Sequence, residues 1–236
     1  MEVGTGWGLD MPIGFYLCGA ACIKTFDAHC HLRRRRVEQA LEAIRAKRQL
    51  VSNIFLSLTN EDELSERLEK ICRVSTLDKL FKVARIEYFA PSDAASTGLE
   101  TGSIDVHFSH TVLEHIPEQV LKGILIESCR LLSKHGVAFH HIDPSDHFSH
   151  DDSRISKINF LRFSDEEWNR YAGNRFAYHN RLRAVDYLRL FEECGHRIIR
   201  QRFSMMSSRC ERLPWDSRWM PSSGDIPAIR SAHPLC

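Results

Sequence analysis

The sequence has almost no net charge, with 32 lysines and arginines against 31 aspartates and glutamates, +1 at neutral pH. So even a balance sets up no global field to hold a nucleic-acid backbone or an anionic membrane, and nucleic acid is not an expected partner. Long apolar runs are missing too. The longest uncharged stretch, Met11 to Ile23, is well short of the roughly 20 residues that span a bilayer. Glu2 and Asp10 precede it where a secretory signal needs positive charge, and no A-x-A-like cleavage site follows. No membrane association and a cytoplasmic location are therefore expected. The eight cysteines include no C-x-x-C pair, which argues against a disulfide scaffold and for reduced thiols. Cys18, Cys22, His29, Cys30 and His31 crowd together in sequence but lack the paired hook of a structural zinc site. A nucleophile elbow, an H-E-x-x-H helix and a P-loop are all absent, so acyl-enzyme hydrolysis, zinc proteolysis and nucleotide hydrolysis are not expected.

What is present is a chain of 236 residues, 43% of them hydrophobic, long enough to bury roughly 70% of its unfolded surface without metal or disulfide. Met1 to Val3, a glycine-rich loop, a mixed apolar stretch to Gly19 and then Ala20 to Asp27 read as strand, loop, helix, strand. Two polar helices follow, with Val37, Leu41 and Ile44 on one face and Leu64, Leu68 and Ile71 on another. Strands are expected at Val83–Phe89, Ser103–Ser109 and Val137–Asp143. A helix over Glu118–Leu132, closed by Gly136, should separate the last two. Leu182–Cys194 reads as a helix ended by Gly195, and Arg197–Met205 as a strand. The alternation predicts an α/β fold, an open, mostly parallel, Rossmann-like sheet with helices on both faces and its ligand beyond the carboxyl ends of the strands. Residues 1–210 form the expected domain, with a helical insertion at 33–82 and a pocket insertion at 144–181. Residues 211–236 form a tail in which Ile226–Leu235 could add a last antiparallel strand, although Pro227 and Pro234 lack amide donors.

Glu2-Val3-Gly4-Thr5-Gly6-Trp7-Gly8 ends a strand with glycines at every second position, which permits left-handed backbone and close approach of a ligand. A dinucleotide fingerprint needs G-x-G-x-x-G, whereas here the third glycine comes one residue early behind an acidic residue. That suits a nucleoside without a pyrophosphate, its amino acid part carrying an ammonium for the carboxylate. Asp27 ends the second strand, at the edge from which a carboxylate holds ribose hydroxyls.

These segments are joined by Tyr88-Phe89-Ala90-Pro91-Ser92-Asp93-Ala94, by the block SIDVHFSHTVLEHI from Ser103 to Ile116, and by ESCRLLSKHG from Glu127 to Gly136. In that order, over Glu2 to about Met205, the sequence resembles the class I S-adenosylmethionine-dependent methyltransferases in their broad small-molecule branch. The resemblance implies S-adenosylmethionine as cofactor. It places Glu2, Gly4, Thr5, Gly6 and Gly8 near the methionine part, Asp27 on the ribose, and Asp93 and Ala94 at the adenine, with Ser109 and His110 at the cofactor's edge. Relatives of this pattern carry helices before the loop, so an incomplete N-terminus is expected. A catalytically inactive binding relative is the alternative, and a nicotinamide oxidoreductase is disfavoured by the glycine spacing.

Methyl transfer from a sulfonium needs alignment and exclusion of water rather than a covalent nucleophile. A hydroxyl acceptor would be helped by a base, and histidine suits that near neutral pH. Eight of the 13 histidines lie between His107 and His150, most densely after the fifth strand. His147 or His141 is the expected base, with Asp143 orienting it and His115 as another pocket residue. A divalent metal site is the lesser alternative for these imidazoles and carboxylates, which are ordinary ligands, but they show no settled ligand spacing and no metal ligands are assigned. The expected partner is a small polar acceptor such as a sugar.

Overall fold

The computed structural model describes residues 1–174 and 178–203, and the backbone of Arg230–Ser231. Its main sheet has five strands in the order β3-β2-β1-β4-β5. They are β1 (Glu2–Val3), β2 (Ile23–Phe26), β3 (Ile86–Phe89), β4 (Ile104–His110) and β5 (Leu132–His141). β1 pairs in parallel with both β2 and β4, and β2 pairs in parallel with β3. This is the α/β sheet expected, mostly parallel, with helices packed around it and five strands in the order of the doubly wound 3-2-1-4-5-6 sheet.

The chain divides into two compact units, one holding Met1–Gly98 with His107–His110, the other holding Leu99–Val106 with the rest of the chain. In the first, α1 (Asp10–Leu17), α2 (Arg34–Ala46), α3 (Arg48–Phe55), α4 (Glu61–Cys72) and α5 (Leu77–Ala84) surround one core. The apolar faces read from periodicity are the ones buried: Val37, Leu41, Leu64, Leu68 and Ile71 pack with Ile13, Leu17 and Leu80. α4 starts where Asn60 accepts hydrogen bonds from the amides of Asp62 and Glu63, an N-cap reinforced by acidic residues at the positive end of the helix. Val83 and Ala84, expected in a strand, belong to the last turn of α5, because Leu80 and Ala84 share its buried face. Arg85 breaks that helix in the left-handed region, at φ 51°, and β3 begins after it.

In the second unit, α6 (Glu118–Leu131) lays Leu121 and Leu125 against Tyr187, Leu190 and Phe191 of α9 (Ala184–Glu193). Gly136 does not close α6. The chain turns from helix to strand at Leu132, and Gly136 lies inside β5, where a Cβ would come within 2.9 Å of the Ile104 carbonyl oxygen. A second small core of Phe160, Trp168 and Ala172 forms beside α8 (Asp165–Ala172), while α7 (Phe148–Asp151) is a single turn. Gly195 ends α9 at φ 91° as expected. The strand expected over Arg197–Met205 is cut to β6 (His196–Arg197), which pairs antiparallel with β7 (Arg230–Ser231). Met205, and the rest of the strand expected at Ile226–Leu235, lie outside the described residues. Asp105 accepts a hydrogen bond from Ser133 at 2.9 Å. Among the described residues no helix is long and apolar enough to cross a membrane.

Candidate functional site

In the first unit the glycine loop and the end of β2 are one hydrogen-bonded constellation. The Gly4 amide, at φ 81°, continues the pairing of β1 with β2 by donating to the Phe26 carbonyl at 2.8 Å. Gly6, at φ 62°, donates its amide to Asp27 Oδ2 at 2.9 Å, and Oδ1 of the same carboxylate accepts the His29 amide at 3.0 Å. The backbone of Asp27 ties in β3 as well, its amide bonded to Phe89 O and its carbonyl to the Ser92 amide. Asp27 is buried and turned toward the loop. A side chain at Gly6 would meet no protein atom within 4 Å, so the loop is open there, whereas at Gly8 it would run into the Asp10 carboxylate. Gly6→Ala should therefore cost only the left-handed backbone penalty, about 1 kcal/mol, measured as a loss of stability in urea.

Glu2 lies beneath this loop, fully buried. Its Oε2 accepts the Thr25 hydroxyl at 2.5 Å, and Thr25 Oγ1 lies 2.6 Å from Thr5 Oγ1. Thr25 has one proton and gives it to Glu2, so Thr5 donates to Thr25. Burial pushes the Glu2 carboxyl up to about 7, against the pull of the Thr25 hydrogen bond and the Met1 amine, with Asp27 and Asp10 adding to the rise. Asp93 is exposed and accepts the Ala95 amide at 2.8 Å, while Ala94 is buried. Ser109 is buried and His110 exposed at the carboxyl end of β4. A separate cleft of about 270 Å³ between α1, α2 and α3 takes in none of the loop glycines or Asp27.

The second unit holds a group of imidazoles. The His147 ring is 4.8 Å from that of His115 and 5.0 Å from those of His150 and His179, stacking on the last two. His115 Nδ1 is 3.0 Å from the Tyr178 carbonyl oxygen. Burial first, then the neighbouring His115 and His179, hold His147 below the ordinary histidine range, so its ring is neutral near pH 7. The partner of Asp143 differs from expectation: its carboxylate meets His150 Nε2 at 3.3 Å, and it also accepts the Ser145 amide. Burial works against that carboxylate, but the Ser145 hydrogen bonds, with the imidazoles of His147 and His150 beside it, outweigh it and keep its pKa low. His141 is exposed at the end of β5, with its carbonyl bonded to the Thr111 amide. The structure thus brings His115, His147 and Asp143 into one neighbourhood, and the ring contacts of that group run through His150 and His179.

Two residues the sequence reading passed over complete this neighbourhood. Glu114, on a short 3₁₀ turn (Leu113–His115), is 2% exposed; Oε1 accepts the Asp143 amide at 3.2 Å, and burial raises its pKa. Asn180 fixes that turn by donating Nδ2 to the carbonyls of Leu113 (2.8 Å) and Ile116 (2.9 Å). Its own amide donates to the Glu114 carbonyl, and its Oδ1 accepts from the Leu182 amide and the Tyr187 hydroxyl. A neutral imidazole beside carboxylates is able to accept a proton or, together with a carboxylate, to hold a cation.

No protein-family model matches the chain, and no curated protein matches it. Solved structures do. A candidate methyltransferase from Bacillus halodurans C-125 is 14% identical with a TM-score of 0.44, over 84% of this chain and 62% of that one. PigF, solved with SAH, is 16% identical with a TM-score of 0.41, over 84% of this chain and 50% of that one. A Haemonchus contortus phosphoethanolamine N-methyltransferase 2, in complex with phosphomonomethylethanolamine and S-adenosylhomocysteine, is 18% identical with a TM-score of 0.35 over 58% of this chain. The chain spans 62%, 50% and 26% of the lengths of these three structures.

Proposed function

We propose that the chain is a methyltransferase that uses S-adenosylmethionine and a small polar acceptor, a sugar or another hydroxyl-bearing metabolite. The observation that carries this reading is the closure of Asp27 onto the Gly6 amide, with open space above Gly6 and the buried Glu2 carboxyl beneath. These features fit an adenosyl amino acid: bare backbone for close approach, one carboxylate for the ribose hydroxyls and one acidic group for the ammonium. Bound S-adenosylmethionine supplies a methyl already activated on a sulfonium sulfur.

Glu2 and the backbone of Gly4, Thr5, Gly6 and Gly8 would hold the methionine part. Asp27 would hold the ribose through the lone pairs left on its two oxygens, Asp93 the adenine amine, and Ala94 the ring face, with Ser109 and His110 at the cofactor's edge. On the acceptor side, an imidazole, His147 or His141, would take the hydroxyl proton, with His115 and Asp143 shaping its surroundings.

The test is calorimetric titration of S-adenosylhomocysteine into the full chain. Saturable one-to-one binding is expected. Asp27→Asn keeps an acceptor for Gly6 but loses the charge-assisted bonds and should weaken binding by roughly tenfold to a hundredfold. Gly6→Ala should weaken it by about tenfold, because the added methyl occupies the open space. A folded chain that takes up no S-adenosylhomocysteine would refute the reading, as would variants that bind as well as the parent.

A further inference from the structure

In the second unit, Glu114, His115 and His147 each present one ligand-type atom within 4.8 Å of the other two. Glu114 and His115 each have their other polar atom engaged in the way that prepares a metal ligand. His115 Nδ1 is at the Tyr178 carbonyl, which leaves Nε2 with the lone pair when Nδ1 carries the proton. Glu114 Oε1 is held by the Asp143 amide, while Oε2 is buried and without a hydrogen-bond partner, and so is His147 Nε2. A carboxylate oxygen buried without a donor is costly, and a cation at this point would supply what it lacks. The three side chains come from two segments, the 3₁₀ turn pinned by Asn180 and the loop after β5, so the site is preformed on both sides.

We infer that Glu114, His115 and His147 form a binding site for one divalent transition-metal ion of the zinc type. Two imidazole nitrogens and one carboxylate oxygen are a donor set that zinc accepts with a fourth position left open. Donor separations within 4.8 Å bring all three to bonding distance of one ion by small side-chain movements. The open position would take an oxygen ligand, water or a hydroxyl, whose pKa the ion lowers. With His147 ligated, the base role proposed above falls to its alternative, His141. The ligand set is not legible in the sequence, because Glu114 and His115 are neighbours in the chain while His147 belongs to another loop, so no ligand spacing forms.

The experiment strips the full chain with a chelator and titrates Co²⁺ and then Zn²⁺, reading cobalt absorption, calorimetric stoichiometry and the thermal midpoint. One ion per chain is expected, with a raised midpoint. His147→Ala should weaken the affinity by more than the roughly 10–100-fold that loss of an outer-shell partner costs, and the double change His29→Ala, His31→Ala should leave it unchanged. Glu114→Gln separates a ligand from a structural residue: the metal-free variant should melt no lower than the parent, yet lose the shift the ion produces. Should a substitution disturb folding, paramagnetic shifts of imidazole protons in the unaltered chain loaded with Co²⁺ report directly whether two histidines ligate. Failure to bind one ion, cobalt shifts on fewer than two imidazoles, or binding that survives His147→Ala but not the His29, His31 double change overturns the inference. S-adenosylhomocysteine binding to the other unit is measured separately, so either result stands without the other.

Discussion

Asn180→Ala is expected to destabilise the chain by about 3–4 kcal/mol, the sum expected when several buried hydrogen bonds lose one common partner. The alanine strips donors from the Leu113 and Ile116 carbonyls and an acceptor from the Leu182 amide and the Tyr187 hydroxyl. Leu113 is completely buried in the core that joins α6 and α9, and the Glu114 carbonyl in the same turn accepts the Asn180 amide. Loosening the turn therefore strains the packing of Tyr187, Leu190 and Phe191 as well as the hydrogen bonds. Tyr187→Phe removes only the hydroxyl and should cost about 1 kcal/mol. Urea unfolding of the two variants checks both numbers. A loss below about 1 kcal/mol for Asn180→Ala would show that water replaces the side chain at these carbonyls and that Asn180 does not hold the turn.

The importance of Asn180 was invisible in the sequence for a physical reason. Tyr178-His179-Asn180-Arg181 has no periodicity, and each bond Asn180 makes to the 3₁₀ turn closes a distance of more than 60 residues. Glu114 was hidden in a similar way, because an acidic residue in an apolar block reads as an exposed charge until its burial is known. By contrast, the glycine loop and Asp27 were legible. Their closeness rests on backbone freedom and on strand ends, both local properties, and pairing of β1 with β2 brings Gly4 to Phe26 and Gly6 to Asp27. Gly136 marks the boundary between these cases. Its glycine character was evident but its cause was not, since the same residue type serves a helix end or a close approach between strands, and only the Ile104 carbonyl at 2.9 Å decides. The apolar faces of α2 and α4 were readable from their 3.6-residue period, while the α5 and β3 boundary was not, because Val83 to Phe89 alternates well enough to pass for one strand.

Glu2 should make the stability of the first unit fall as pH rises. Burial pushes its carboxyl up to about 7 in the fold from an ordinary 4.5, so between those values the native chain holds a proton that the unfolded chain has released. Stability contributed by this group is therefore fully present below pH 4.5 and is lost as pH rises toward 7, by about 3 kcal/mol in all, and changes no further above that. Glu2→Gln keeps an acceptor for the Thr25 hydroxyl and cannot ionise. It should match the parent near pH 4.5 and exceed it by about 3 kcal/mol at pH 8, which urea unfolding across that range measures. If Glu2 also meets the ammonium of an adenosyl amino acid, bound ligand must hold it ionised. Binding at pH 6 would then release a proton from the parent and none from Glu2→Gln, so the calorimetric enthalpy of the parent alone should vary with the ionisation enthalpy of the buffer. The two measurements have a common cause, since the burial that makes an empty Glu2 carboxylate unfavourable also strengthens its attraction to a cation once the ligand displaces the proton. A flat stability difference between parent and Glu2→Gln over pH 4.5 to 8 would place the Glu2 carboxyl in water and remove its assigned role together with the pH effect.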